Sequence, residues 1–283
     1  MIRDITLGQY YVSNSFVHKL DARAKILLLI YVIVLIFVTQ NVLSLVAVTL
    51  LTIAIMLVSG IPIKMYLKNI KVIIPIVIFT AILNIFYANN GVLLLEFMNI
   101  RIYSGGLIRA LYMAIRVLLL ILTSSVLTYT TTPNDLTDAI ERLLKPLKYI
   151  GLGGAVHTMS MMMTIALRFI PTLIEETDKI MNAQKARGAD LESGNLIQKV
   201  KALLPILIPL LISSVRRAYE LAEAMECRCY NGGKGRTRMK QLRLSYRDYA
   251  TFIVFTFVLA LVIFLNIFIK FGVVWEFYSK FRI

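Results

Sequence analysis

The sequence predicts an all-α integral membrane protein, with about five transmembrane helices plus long amphipathic helices on the cytoplasmic side. Three observations carry that reading. Of 283 residues, 58% are hydrophobic and only 17% charged, with a mean hydropathy of +0.76, outside the range of soluble globular domains. The apolar residues gather in runs close to the ~20 needed to cross a bilayer. The 31 Lys and Arg outnumber the 16 Asp and Glu, giving +15, and lie mainly between those runs, where basic residues anchor a chain to the membrane surface.

The first apolar region, residues 26–59, is too long for one helix and is broken by Thr39-Gln40-Asn41. It reads as two spans. The first, residues 26–38, is short, so its ends are expected to snorkel or to sit in protein. A signal peptide is not expected there: no small-residue cleavage site follows, and the next apolar run starts at once. After Gly60-Ile61-Pro62 comes a basic stretch with Lys64, Lys68 and Lys71, then a third span at residues 72–87 with Pro75 near its start. Asn89-Asn90-Gly91 turns the chain into residues 92–103, which are β-rich and partly alternating and suggest a short hairpin outside the membrane. The fourth span, residues 107–131, carries Arg109 and Arg116. An arginine inside the membrane is costly and ordinarily faces the protein interior or a polar neighbour, so a packing role is expected for Arg116 ahead of a functional one. Residues 249–269 form the last span.

A cytoplasmic N-terminus puts 25 of the 31 Lys and Arg inside or at the inner boundary; Arg101, Arg109, Arg116, Lys270, Lys280 and Arg282 are the exceptions. The positive-inside rule therefore favours that orientation. The expected organisation is a membrane region over 1–131 with four spans and an external hairpin near 92–103. A cytoplasmic region follows over 132–248, then a last span and external C-terminus over 249–283.

The cytoplasmic region opens on Thr132-Pro133-Asn134-Asp135, a helix start with Thr132 as cap and Pro133 in the first turn. Leu136, Ile140, Leu143, Leu144 and Leu147 then recur at helical spacing. Two long helices are expected at about 155–188 and 196–230. The first is apolar and Met-rich through Met159, Met161, Met162 and Met163, then amphipathic, with Leu173, Ile174, Ile180 and Met181 set against Glu175, Glu176, Asp178, Lys179 and Lys185. The second has an apolar middle, residues 203–215, that contains Pro205 and Pro209, and a charged end. Both are greasy at the start and charged toward the finish. Their ends rhyme: Lys185-Ala186-Arg187-Gly188-Ala189 and Glu226-Cys227-Arg228-Cys229-Tyr230 each set one Arg between small residues. The helix macrodipole favours a cation at a C-terminus. Small flanks also let a backbone approach another surface, so that a guanidinium can reach carboxylates in a fork geometry. On spacing alone, dipole stabilisation and docking account for the Arg equally well.

These motifs carry a resemblance. Leu20-Asp21-Ala22-Arg23-Ala24-Lys25 resembles an Asp-Pro-Arg-Thr-Lys signature that precedes the first span of one family. Leu167-Arg168-Phe169-Ile170-Pro171 is similar to another of its blocks, as are Ala183-Gln184-Lys185-Ala186-Arg187-Gly188-Ala189-Asp190 and Ala224-Met225-Glu226-Cys227-Arg228-Cys229-Tyr230. Essentially the whole chain resembles, in order, the transmembrane coupling subunit (T component, EcfT family) of energy-coupling factor transporters, ABC-type importers of vitamins and metal ions. Ala22 and Ala24 stand where the family usually has Pro and Thr, Cys227 stands for Ala, and Asn231 for a common basic residue.

The resemblance implies a scaffold for vitamin or micronutrient uptake at the cell membrane, with three protein partners besides the lipid bilayer. Two ABC ATPase subunits, of EcfA and EcfA′ type, use ATP and Mg. A substrate-binding membrane protein, the S component, carries specificity. By carry-over, Ala186, Arg187 and Gly188 dock into one ATPase and Cys227, Arg228 and Cys229 into the other. The apolar stretch with Leu203, Leu207, Leu210 and Leu211 would meet the S component. No cofactor is expected on this chain itself.

Other signals are set aside. Gly232-Gly233-Lys234-Gly235-Arg236 lacks the phosphate-loop spacing and follows a helix. Cys227 and Cys229 have no further ligand to complete a metal site, and two Cys cannot frame a disulfide-rich fold. The basic run 234–247 sits directly before a span and is expected to meet anionic headgroups, so no nucleic acid is expected. With no nucleophile–base pair and no acids within the apolar runs, an enzyme is not expected. A self-sufficient channel or carrier lined by Arg109 and Arg116 is the alternative.

Overall fold

A computed structural model describes residues 10–87, 93–97, 100–151, 153–189, 196–232 and 244–271. Asp21 caps the first helix, α1 (Ala22–Val38), by accepting the backbone N–H of Arg23 at 2.9 Å. The helix therefore starts four residues before the apolar run, because Arg23 and Lys25 belong to its first turn rather than to a preceding loop. Arg23 turns back onto Asp21 (Nη2 to Oδ2, 2.8 Å). Helix α2 (Val42–Ser59) ends at Gly60, whose φ of +67° lies in the left-handed region suited to glycine.

Helix α3 (Ile63–Tyr87) contains Pro75 and begins nine residues earlier than the expected 72. Lys64, Lys68 and Lys71 fall at helical spacing on one exposed face of it, as snorkelling lysines do. The opposite face holds the buried Tyr66, whose ring meets that of Tyr129 edge-on at 5.7 Å, and Asn69, which donates to Ser125 Oγ at 3.0 Å. A two-stranded antiparallel hairpin, β1 (Leu93–Phe97) and β2 (Ile100–Tyr103), precedes α4 (Ser104–Thr130). Next come α5 (Pro133–Leu143), a 3-10 turn (Lys145–Ile150), α6 (Gly153–Ala186), α7 (Leu196–Cys227) and α8 (Tyr246–Phe271).

The elements fall into two compact units. One comprises α1–α4, the hairpin and α8. Its centre is α1, whose Leu28, Val32, Leu35 and Ile36 pack with Leu45 and Val48 of α2, Tyr112 and Leu119 of α4, and Phe255 and Val262 of α8. Lipid offers apolar groups as good as any core, so such helices associate through close packing and interhelical hydrogen bonds of roughly 0.6 kcal/mol each.

Both ends of α1 supply those bonds. At its start, the buried Lys25 ammonium donates to the Thr130 carbonyl at the end of α4 (2.7 Å). The buried Asp248 of α8 accepts the backbone N–H groups of Asp21 (3.0 Å) and Ser245 (2.6 Å). At its finish, the carbonyl of Thr39 accepts from Tyr112 Oη (2.7 Å) and Arg116 Nη2 (2.8 Å), and that of Val38 from Asn266 Nδ2 (2.9 Å). Arg116 thus sits at the negative end of the α1 dipole, stacked over the Tyr112 ring at 4.9 Å. That is the packing role expected of it.

The other unit comprises α5, the 3-10 turn, α6 and α7. Among the described residues, five helices are long and apolar enough to cross a membrane, and the set differs from the expected one. Helix α1, at 17 residues, falls below the length of those five. Residues Val200–Cys227 of α7 qualify, because no charge falls between Lys201 and Arg216 and the apolar part of that helix is unbroken. The chain is an all-α, multi-pass membrane protein.

Candidate functional site: two helix tips

Helices α6 and α7 run antiparallel, tied at three levels. Near the finish of α6, Gln184 Nε2 donates to the carbonyl of Pro205 at 3.4 Å. That carbonyl is free because Pro209, four residues on, has no N–H to return to it. In the middle, Glu176 accepts from Arg217 Nη2 at 2.5 Å and from the Ser213 hydroxyl. Toward the start of α6, Tyr230 Oη contacts Met161 Sδ at 2.9 Å. Met161 and Gln184, 23 positions apart, are separated by about 35 Å at the helical rise. Arg187 and Arg228 therefore stand at opposite ends of the pair.

The two ends share one geometry. At the finish of α6, the N–H of Ala189 bonds the Gln184 carbonyl (3.0 Å) and that of Gly188 the Lys185 carbonyl (3.0 Å), with Gly188 at φ +87°. At the finish of α7, the N–H of Tyr230 bonds the Met225 carbonyl (3.0 Å) and that of Cys229 the Glu226 carbonyl (2.8 Å), with Cys229 at φ +53°. Both are Schellman motifs, in which a left-handed residue past the last turn lets two N–H groups close on orphaned carbonyls. Arg187 and Arg228 occupy the equivalent last position before the reversal. The partner of Gly188 is Cys229, rather than either glycine that follows it.

All six residues expected at the tips, Ala186, Arg187, Gly188, Cys227, Arg228 and Cys229, are exposed. Among the described residues, no ion pair or side-chain hydrogen bond holds either guanidinium. Among the described residues, nothing beyond the local backbone lies within 4 Å of where a β-carbon on Gly188 would stand. Each tip is a cation held out on a closed turn beside small neighbours, able to enter a groove and pair with carboxylates.

Along α7, Leu203, Leu207 and Leu211 are exposed at helical spacing, with Leu204, Ile208 and Ile212 beside them. Leu210 differs: it is half-buried, on the stripe of Ile206, Ser213 and Arg217 that faces α6. On α6, Met159, Met162 and Met163 are exposed. Among the described residues no three His, Cys, Asp or Glu side chains gather in a metal-binding group.

Comparison with known proteins decides the family. A family model described as cobalt transport protein (CbiQ) matches residues 13–239. The energy-coupling factor transporter transmembrane protein EcfT of Clostridium kluyveri is 54% identical over 250 residues, covering 88% of this chain and 92% of the relative. The EcfT of Acidaminococcus fermentans is 46% identical over 269 residues (94% and 98%), and that of Bacillus subtilis 40% over 266 residues (94% and 100%). The chain belongs to the EcfT family. It is the transmembrane component of an energy-coupling factor transporter, and its EcfT relatives are membrane subunits of transporters.

The sequence places Glu176 on a polar helix face and Gln184 in the tip motif, but does not show that they join the two helices with Ser213, Arg217 and the Pro205 carbonyl. The four-residue spacing of Pro205 and Pro209 marks an unpaired carbonyl, the one legible sign of a tie at that level. Nothing in the sequence pairs Glu176 with Arg217.

Proposed function

We propose that this EcfT chain couples two cytoplasmic ABC ATPases to a substrate-binding S component in the uptake of vitamins or other micronutrients across the cell membrane. Its N-terminus is cytoplasmic, in keeping with the charge distribution. The supporting observation is the pair of matched, unpaired Arg tips at opposite ends of an antiparallel helix pair. Arg187, with Ala186 and Gly188, enters one ATPase; Arg228, with Cys227 and Cys229, enters the other. ATP and Mg are used on those partners, and this chain itself binds no cofactor.

The ATPases move the tips as they close and open. The ties at Glu176 and Gln184 make α6 and α7 respond together, so that displacement at the tips reaches the apolar face of α7. There Leu203, Leu207 and Leu211, with Leu210 at the edge toward α6, receive the S component. Exposed methionines on α6 add a deformable surface suited to more than one such partner. A channel reading finds less support, since Arg116 is engaged at the end of α1.

The test is a gentle-detergent pull-down of the tagged chain from its native membrane, with bound chains identified by mass spectrometry. Two ATPases with one or more small apolar membrane proteins are expected. Recovery of this chain alone, under conditions that preserve a control ABC complex, would contradict the proposal.

A further inference from the structure

We propose that the groove between α2 and α8 holds one acyl chain of an anionic phospholipid, with the headgroup phosphate on Arg247. The groove encloses about 220 Å³. Its floor is buried, with Leu28 and Val32 of α1 and Phe255 of α8, and its mouth is exposed, with Ala54 and Val58 of α2 and Val254 of α8. Dry apolar cavities of ~150 Å³ already accept benzene-sized guests, so this one has room for a run of methylenes. In a membrane component, the apolar matter available in excess at such a mouth is a lipid tail.

One end of the groove is basic. Lys25 lines it, with its ammonium held by the carbonyls of Thr130 and His18 (2.7 and 3.4 Å). Arg247 lies one turn before Thr251 on the face of α8 that carries Thr251 and Val254 into the groove. It is exposed, and no ion pair or side-chain hydrogen bond holds its guanidinium among the described residues. The acids at this end are committed: Asp21 holds Arg23, and both oxygens of Asp248 accept backbone N–H groups. Set against the carboxylates of Asp21 and Asp248, the cations Arg23, Lys25 and Arg247 leave one positive charge over, and Arg247 is the exposed one, with apolar lining running away from it. That combination matches an amphipathic anion.

The proposal rests on the chain being a membrane protein and not on its coupling role. Native mass spectrometry of the purified full chain, titrated with phosphatidylglycerol and phosphatidylcholine of identical tails, tests it. Phosphatidylglycerol should be retained about fivefold better, because phosphatidylcholine carries the same phosphate neutralised by its choline cation and a well-placed basic residue favours the net-anionic lipid by about that factor, and Arg247→Ala should bring that ratio close to one. Ala54→Phe fills the mouth and should lower retention of both lipids about tenfold; Val58→Trp does the same from the next turn should the first variant not fold. Equal retention of the two lipids by the unmodified chain would overturn the proposal. So would retention unchanged in folded filling variants, or a photo-crosslinker at Val58 that captures a peptide instead of a lipid in native membranes.

Discussion

The finishes of α6 and α7 are built alike and differ at one atom-level detail. Both close with the same two backbone hydrogen bonds and both hold an exposed Arg at the last position before the reversal. The residue that must turn left-handed is Gly188 in one and Cys229 in the other, the only described non-glycine residue with a positive φ. A side chain in that region costs about 1–2 kcal/mol relative to glycine. Retention of the left-handed turn without glycine argues that the geometry at Arg228 matters enough to be held under strain. The α7 tip is then the less robust of the two, and it carries thiols where its counterpart carries none.

The largest effects should come from the cations themselves. Arg187→Ala and Arg228→Ala should each weaken ATPase retention by about 2–5 kcal/mol, the range for truncating one partner of a buried interfacial charge pair. Titration of purified ATPases against each variant measures it. Equivalent tips predict losses of similar size; a loss confined to one would break the parallel.

The next effects exchange the left-handed residues. Gly188→Cys makes the α6 tip resemble that of α7 and should cost about 1–2 kcal/mol of local stability, while Cys229→Gly should recover a similar amount. Amide exchange at residues 187–189 and 228–230 reads both directly. Faster exchange at the first and slower at the second are expected, and the same sign at both would refute the equivalence.

Glu176→Ala should act on the link between the tips. The Arg217–Glu176 pair is partly exposed, with side chains 33% and 20% accessible, so about 1 kcal/mol is expected. Its signature is functional: ATPase binding stays close to normal while transport per ATP hydrolysed falls, measured in proteoliposomes.

The smallest effect lies in the other unit and serves as a contrast. Burial holds His18 below its usual value of 6.5, against the opposing pull of its Nε2–H bond to the Tyr11 carbonyl at 2.9 Å and with the Lys25 charge adding to the lowering. A lowered folded-state value means that the neutral ring stabilises the fold. That contribution is present above 6.5 and is lost as pH falls through the folded value. Exchange in residues 11–20 should rise on acidification toward about pH 5, while the tips, which lack histidine, keep their protection once intrinsic rates are corrected.

Much of this was legible in the residues. The runs of apolar residues announced α2, α4 and α8, and the small–Arg–small repeat announced the tips. What misled was charge near a helix start. The basic stretch with Lys64, Lys68 and Lys71 was set before the third span, although its spacing is helical and the three form one exposed face of α3. Arg23 and Lys25 were set before the first span, although both belong to the first turn of α1, where one folds onto its own cap and the other reaches the end of α4. The tie between α6 and α7 was hidden for a different reason: Glu176 and Arg217 lie 41 residues apart, and only the packing of two helices brings them together. The strain at Cys229 had no sequence sign beyond its register with Gly188.

The most direct test of the account is the double variant Arg187→Ala/Arg228→Ala, expressed with its ATPases and recovered by a tag on this chain. Both ATPases should be lost while the purified variant keeps its helicity and monodispersity. Two ATPases recovered undiminished with the folded double variant would contradict it.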